Sequence, residues 1–169
     1  MNVVYKIFRK CGDGADGGGT GVDGSVNSSS LIKNLNSLHV RNADVFLDLC
    51  ARDGRVILAA LAMGANTSSG FELPQNISYS LLFNAAQSML QTRSSREPVD
   101  WSRGPWTPCD IDELSTFECN SHCIFSFWVG MPLYTQNRIL VMCNSCLSIK
   151  EFAVFPDRKW QRPQQGNQI

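Results

Sequence analysis

Apolar residues along the chain fall into short runs separated by turn chemistry, and the period of the pattern changes from run to run. Val45 to Cys50 (VFLDLC), led in by Asn42-Ala43-Asp44, has the continuous apolar pattern of a buried strand. After Asp53-Gly54, Arg55 to Met63 (RVILAALAM) is apolar on nearly every side, which fits a helix packed between a sheet and a neighbouring element. Gly64 suits the left-handed residue that ends such a helix. Thr67 to Glu72 is a weaker strand signal, and behind Pro74 the residues Ile77, Leu81, Ala85 and Met89 recur on one face of a further helix. A short strand is expected near Thr107 to Ile111. Cys123 to Val129 (CIFSFWV), apolar on both faces, predicts a central strand that Gly130-Met131-Pro132 stops. Thr135 can cap a helix through Cys143, and Ile149 to Phe155 reads as a last strand. Strands alternating with helices predict an α/β fold: an open, mostly parallel sheet of about five to six strands, covered by helices on both faces.

Composition sets the boundaries of that unit. The chain has 169 residues and is 43% hydrophobic, enough for one domain with a real core. Seven of its 13 glycines fall between Gly12 and Gly24, in a segment too poor in apolar surface to offset its ordering entropy. Residues 1–29 are therefore expected to be a flexible segment, with Val3 to Phe8 as a stray apolar run. Residues 30–157 form the folded domain, and 158–169 are a polar tail. Lys and Arg total 15 against 15 Asp and Glu, so there is no general pull toward nucleic acid or an anionic membrane. No apolar stretch is long enough to span a bilayer. Seven cysteines without a recognisable secretory signal point to free thiols and an intracellular protein, in which the Asn27, Asn66 and Asn76 sequons are idle.

In an open parallel sheet, ligands bind beyond the carboxyl ends of the strands, near the point where strand order reverses. The first strong strand ends in Asp48 and runs into Cys50-Ala51-Arg52-Asp53-Gly54, and the next ends at Glu72. A carboxylate at that second position can accept hydrogen bonds from both hydroxyls of a ribose, and the following helix offers amide groups at its amino end. The same spacing also fits turn and cap residues beside a solvated strand end.

These residues resemble a known family. Ala43-Asp44-Val45-Phe46-Leu47-Asp48-Leu49 followed by Asp53-Gly54-Arg55-Val56 is similar to the first motif of S-adenosylmethionine-dependent methyltransferases with the Rossmann-like fold, and Gly70-Phe71-Glu72 to their second. Leu31 to Leu35 matches the helix that precedes the first strand. Asp110-Ile111 resembles the acidic–hydrophobic pair that brackets adenine, and Ile124 to Trp128 takes the place of the motif lining the transfer site. The nearest subgroup is the non-SET histone-lysine methyltransferases of the disruptor-of-telomeric-silencing type, and the resemblance runs from Leu31 to Phe155. It implies S-adenosylmethionine as cofactor, bound by Asp48, Asp53, Gly54, Glu72, Asp110 and Ile111, with Phe127 and Trp128 lining the transfer site. It also implies a protein substrate, histone-like, and hence a nuclear protein; otherwise a cytoplasmic one is expected. No metal is implied, and oligomeric state has no signature.

The chain also departs from the family. Cys50 and Arg52 stand where glycines are usual, and Arg52 brings a cation to the place of a cationic sulfonium. The fourth-strand motif lacks the asparagine of the histone-methylating group, and too few residues follow Phe155 for the hairpin that completes the usual sheet. Two rival functions follow: a binding module of the same fold without cofactor, or a nucleic-acid methyltransferase. The latter is weakened by the absence of an Asn/Asp-Pro-Pro-aromatic motif. Other signals carry less. Gly19 to Gly24 satisfies a dinucleotide-type glycine pattern but has neither the strand before nor the helix after. Cys109, Cys119, Cys123, Cys143 and Cys146 with His122 suggest zinc, yet Cys123 lies in a strand and Cys143 in a helix, so buried apolar thiols are expected. Arg93, Arg96 and Arg103 among Trp101 and Trp106 read as a solvated loop over packed rings rather than a nucleic-acid surface.

Overall fold

The computed structural model describes residues 26–40, 45–52, 54–74, 106–114 and 120–155. Asp53, the helix expected through Ile77 and Met89, Cys119, the glycine pattern at Gly19 to Gly24, the run from Val3 to Phe8 and the tail 158–169 lie outside them.

The chain opens with helix α1 (Ser28–Ser37), whose start is fixed by Asn27: its side chain accepts the Ser30 amide at 2.9 Å. This start falls two residues inside the segment expected to be linker, because Asn27 and the buried Val26 and Ser28 already belong to the packed unit. Leu31, Ile32 and Leu35 form the buried stripe of α1. Strand β1 (Val45–Leu49) follows, then α2 (Arg55–Met63), which ends at Gly64 in the left-handed conformation. Next come β2 (Thr67–Glu72), β3 (Trp106–Pro108), a single 3₁₀ turn (Ile111–Glu113), β4 (Cys123–Phe127), α3 (Leu133–Ser145) and β5 (Glu151–Phe155).

The strands form one five-stranded sheet in the order β3-β2-β1-β4-β5, and every pairing is parallel. This is the expected Rossmann-like α/β architecture. Side-chain alternation explains why helices cover both faces. Phe46, Cys123, Phe125 and the partly buried Ala153 point to one face, where they pack with α1 and with Val56, Ala59 and Ala60 of α2. Leu47, Leu49, Ile124, Phe152 and Val154 point to the other and meet Ile139, Met142 and Cys143 of α3.

Two boundaries differ from the sequence pattern for identifiable reasons. The strand expected over Thr107 to Ile111 stops at Pro108, because Asp110 turns its carboxylate onto the Asp112 amide at 2.9 Å and starts the 3₁₀ turn. Helix α3 begins at Leu133 behind Pro132, not at Thr135. The Thr135 hydroxyl does not cap; it reaches across to donate to Asp112 Oδ2 at 2.9 Å. Among the described residues, no helix is long and apolar enough to cross a membrane.

Candidate functional site

The sheet changes direction between β1 and β4: the chain first builds outward through β2 and β3, then returns to the other side of β1 for β4 and β5. The crevice at the carboxyl ends of β1 and β4 is therefore the place for a ligand. A buried bond closes its floor, where the Ser126 hydroxyl donates to the Leu49 carbonyl at 3.2 Å.

On one side of the crevice lies the turn from β1 to α2. Cys50 (φ 71°), Arg52 (φ 43°) and Gly54 (φ 66°) all adopt the left-handed backbone region. Only Gly54 does so freely; each of the other two costs about 1 kcal/mol. The surrounding bonds hold the turn in that shape. The Cys50 and Ala51 amides both donate to the Phe71 carbonyl at 2.9 Å, the Gly54 amide donates to the Ala51 carbonyl, and the Arg52 amide donates to Glu72 Oε2 at 2.6 Å. The close approach of β2 makes this possible. A Cβ at Gly70 would lie 2.5 Å from Ala51 Cβ and 2.9 Å from the Asp48 carbonyl oxygen, so Gly70 is required by contact. Positions 50 and 52 thus carry side chains on the left-handed backbone that glycine adopts most freely.

Of the sequence-predicted residues, Asp48, Gly54 and Glu72 lie on this turn and the strands beside it, and Asp53 lies outside the described residues. Asp48, next to last in β1, is almost fully buried and lies opposite Gly70 in the strand register. Glu72, also buried, faces the neighbouring turn and accepts the Arg52 and Leu73 amides, one on each oxygen. Gly54 stands at the N-cap of α2 in the left-handed conformation. Asp110 begins the 3₁₀ turn, whose strand is joined to β2 when the Cys109 amide donates to the Glu72 carbonyl at 2.8 Å. Ile111 is buried against Leu47, Leu49 and Trp128, so any contact it makes to a ligand is through its backbone or one edge.

The Cys50 thiol reports the electrostatics of this side. Burial, and after it the negative charges of Glu72, Asp48, Asp112 and Asp110, push it far above its ordinary range, so it stays protonated. Four carboxylates thus act on one point of the crevice. Among the described residues, no group of three or more His, Cys, Asp or Glu is placed to hold a metal ion.

The β4 side is apolar. Phe127 stacks on Phe155 with ring centroids 5.3 Å apart, and Trp128 is 1% exposed, tilted against Phe152 at 6.0 Å. Both rings are packed into the domain, and the Trp128 ring, expected at the transfer site, presents no open face to a second substrate. Leu133 and Tyr134, the first residues of α3, are by contrast exposed, at 69% and 66%. Sequence reasoning missed them because they precede the residue taken as the helix cap. It also missed Arg138, whose side chain donates to the carbonyls of Ile111 and Leu114, and the buried Arg55 at the start of α2.

No family model and no curated protein matches the chain. Solved structures with a similar chain course include a Bacillus halodurans protein assigned as a methyltransferase, at 13% identity and a TM-score of 0.48, covering 75% of this chain and 50% of that one. A Thermoplasma acidophilum protein is similar at 11% identity and a TM-score of 0.45, covering 85% of this chain and 67% of that one. Magnesium protoporphyrin IX methyltransferase of Synechocystis, with S-adenosylmethionine bound, is similar at 12% identity and a TM-score of 0.43, covering 96% of this chain and 74% of that one. The chain spans half the length of the Bacillus protein.

Proposed function

We propose that the domain is an S-adenosylmethionine-dependent methyltransferase whose acceptor is a lysine amine on a protein, histone-like in character. The observation that carries the first part is Glu72: a buried carboxylate at the end of β2, locked by hydrogen bonds onto a left-handed β1–α2 turn beside the reversal in strand order. The donor and acceptor set suits this cofactor. Glu72 is a carboxylate at the strand end where such a group accepts from ribose hydroxyls, and Asp48 offers negative charge to an ammonium or sulfonium. The amino end of α2 can take a carboxylate, and Asp110 can accept from the adenine amino group.

When bound, the cofactor supplies an activated methyl group, so the protein's part is placement rather than nucleophilic chemistry. The turn and Glu72 fix the adenosyl end. Leu133 and Tyr134, exposed at the start of α3, are an apolar and aromatic pair suited to the aliphatic stem and cationic head of lysine. A histone acceptor would place the protein in the nucleus.

A second reading has its own observation. Cys50 and Arg52 carry side chains at left-handed positions in the loop that would approach the cofactor, as expected of a binding module that keeps the fold without the ligand. Photo-crosslinking with methyl-labelled S-adenosylmethionine separates the two. The enzyme reading predicts labelling that S-adenosylhomocysteine competes away and ATP does not. An unlabelled wild-type chain that becomes labelled only after Cys50→Gly and Arg52→Gly would establish the binding module instead.

A further inference from the structure

We infer that Arg138 is a positioning residue that sets the adenine preference of the crevice by bracing the 3₁₀ turn from α3. The inference rests on the cofactor reading above and concerns a residue with no part in its motifs. The turn from Asp110 to Leu114 is a single turn of 3₁₀ helix, too short to hold itself. Its internal bonds are the Asp112 amide to Asp110 Oδ1, the Glu113 amide to the Asp110 carbonyl, and the Leu114 amide to the Ile111 carbonyl at 3.3 Å. The Leu114 carbonyl lies beyond the turn's last internal bond, and the Ile111 carbonyl, which already accepts the Leu114 amide, has a second lone pair. Arg138, half-buried on α3, meets them: Nε donates to the Ile111 carbonyl at 3.1 Å, and a terminal nitrogen donates to the Leu114 carbonyl. One turn earlier on α3, Thr135 holds the Asp112 carboxylate. On its other side, the segment is tied to β2 through the Cys109 amide and the Glu72 carbonyl.

The turn that carries Asp110 is therefore held between the ribose-binding strand and the helix that follows β4. Arg138 spans two carbonyls with one planar fork, a geometry that a lysine ammonium does not reproduce. Removing it frees the carboxyl end of the turn while Glu72 and the β1–α2 turn stay in place. The cost falls on recognition of the base: the Asp110 carboxylate accepts from the exocyclic amine of adenine, and hypoxanthine has an oxygen there instead.

The test is calorimetric titration of the full chain with S-adenosylhomocysteine and with its deaminated analogue, S-inosylhomocysteine. The wild type should prefer the adenine compound. Arg138→Ala should lose about tenfold in affinity for it and much less for the inosyl compound, so that the preference collapses. Arg138→Lys should behave like Arg138→Ala, and Thr135→Val should show a smaller loss of the same kind. If Arg138→Ala does not fold, the lysine and valine variants decide the matter by the same ratio. Equal losses for both ligands, or an unchanged preference, would overturn the positioning role. A wild type that binds neither compound would remove the cofactor reading, and this inference with it.

Discussion

The two sides of the crevice are built from different materials. On the β1–β2 side, polar groups are fixed by backbone: the Phe71 carbonyl takes two amides and the Glu72 carboxylate takes two more. On the β4–β5 side, aromatic rings are fixed by packing, with Trp128 sealed in the core and Phe127 stacked on Phe155. Hydrogen bonds to main chain survive changes of side chain, and this is why the β1–α2 turn keeps its shape with Cys50 and Arg52 in it. Packing has no such tolerance. The first side fixes polar groups in place, and the second supplies rigidity.

That contrast predicts a graded series of effects. The largest belongs to the packed side: Trp128→Ala should lose about 3–5 kcal/mol of stability in chemical denaturation, while Tyr134→Ala, exposed on the same side, should stay within about 0.5 kcal/mol. If the two variants melted alike, Trp128 would not be a core ring.

Gly70→Ala comes next. Its new methyl group meets Ala51 and the Asp48 carbonyl at distances no side chain tolerates, and a loss of about 1–3 kcal/mol is expected from the forced separation of β2 from the turn. An unchanged melting temperature would mean that β2 and the turn are not in contact.

Arg52→Gly should act in the opposite direction and gain about 1 kcal/mol, because a left-handed position is returned to the residue that adopts it without strain. A loss would show that the arginine side chain contributes more than its backbone costs.

The smallest effect concerns pH. The Cys50 thiol titrates far above its ordinary value of 9.0 in the folded state. It therefore holds its proton more tightly folded than unfolded, and its contribution to stability is complete below pH 9.0 and lost as pH rises beyond it. Denaturation midpoints of wild type and Cys50→Ala should converge between neutral pH and strongly alkaline conditions. A gap that widened instead would contradict the buried, carboxylate-flanked thiol.

Much of this was legible in the sequence because parallel strands are buried on both faces and write continuous apolar runs. β1 and β4 were visible within one or two residues for that reason, and so were the apolar α2 and its Gly64 stop. Asp48, Gly54 and Glu72 could be singled out because strand ends followed by a glycine turn are where such sheets bind ligands. What was hidden depends on contacts distant in sequence. Nothing near Thr135 reveals that its hydroxyl serves Asp112, and nothing near Arg138 reveals the carbonyls it will meet. Trp128 was ambiguous for a related reason: a ring at a strand's end can turn inward or outward, and only the packing of Phe152 and Leu47 decides.

The central claim is that the Glu72 carboxylate, held against the β1–α2 turn, receives the ribose of an adenosyl ligand. Calorimetric titration of wild type and Glu72→Gln with S-adenosylhomocysteine tests it most directly. Saturable binding by the wild type and at least tenfold weaker binding by the variant, with both proteins equally folded, is the predicted result. No heat from the wild type, or equal affinities for the two proteins, would contradict it.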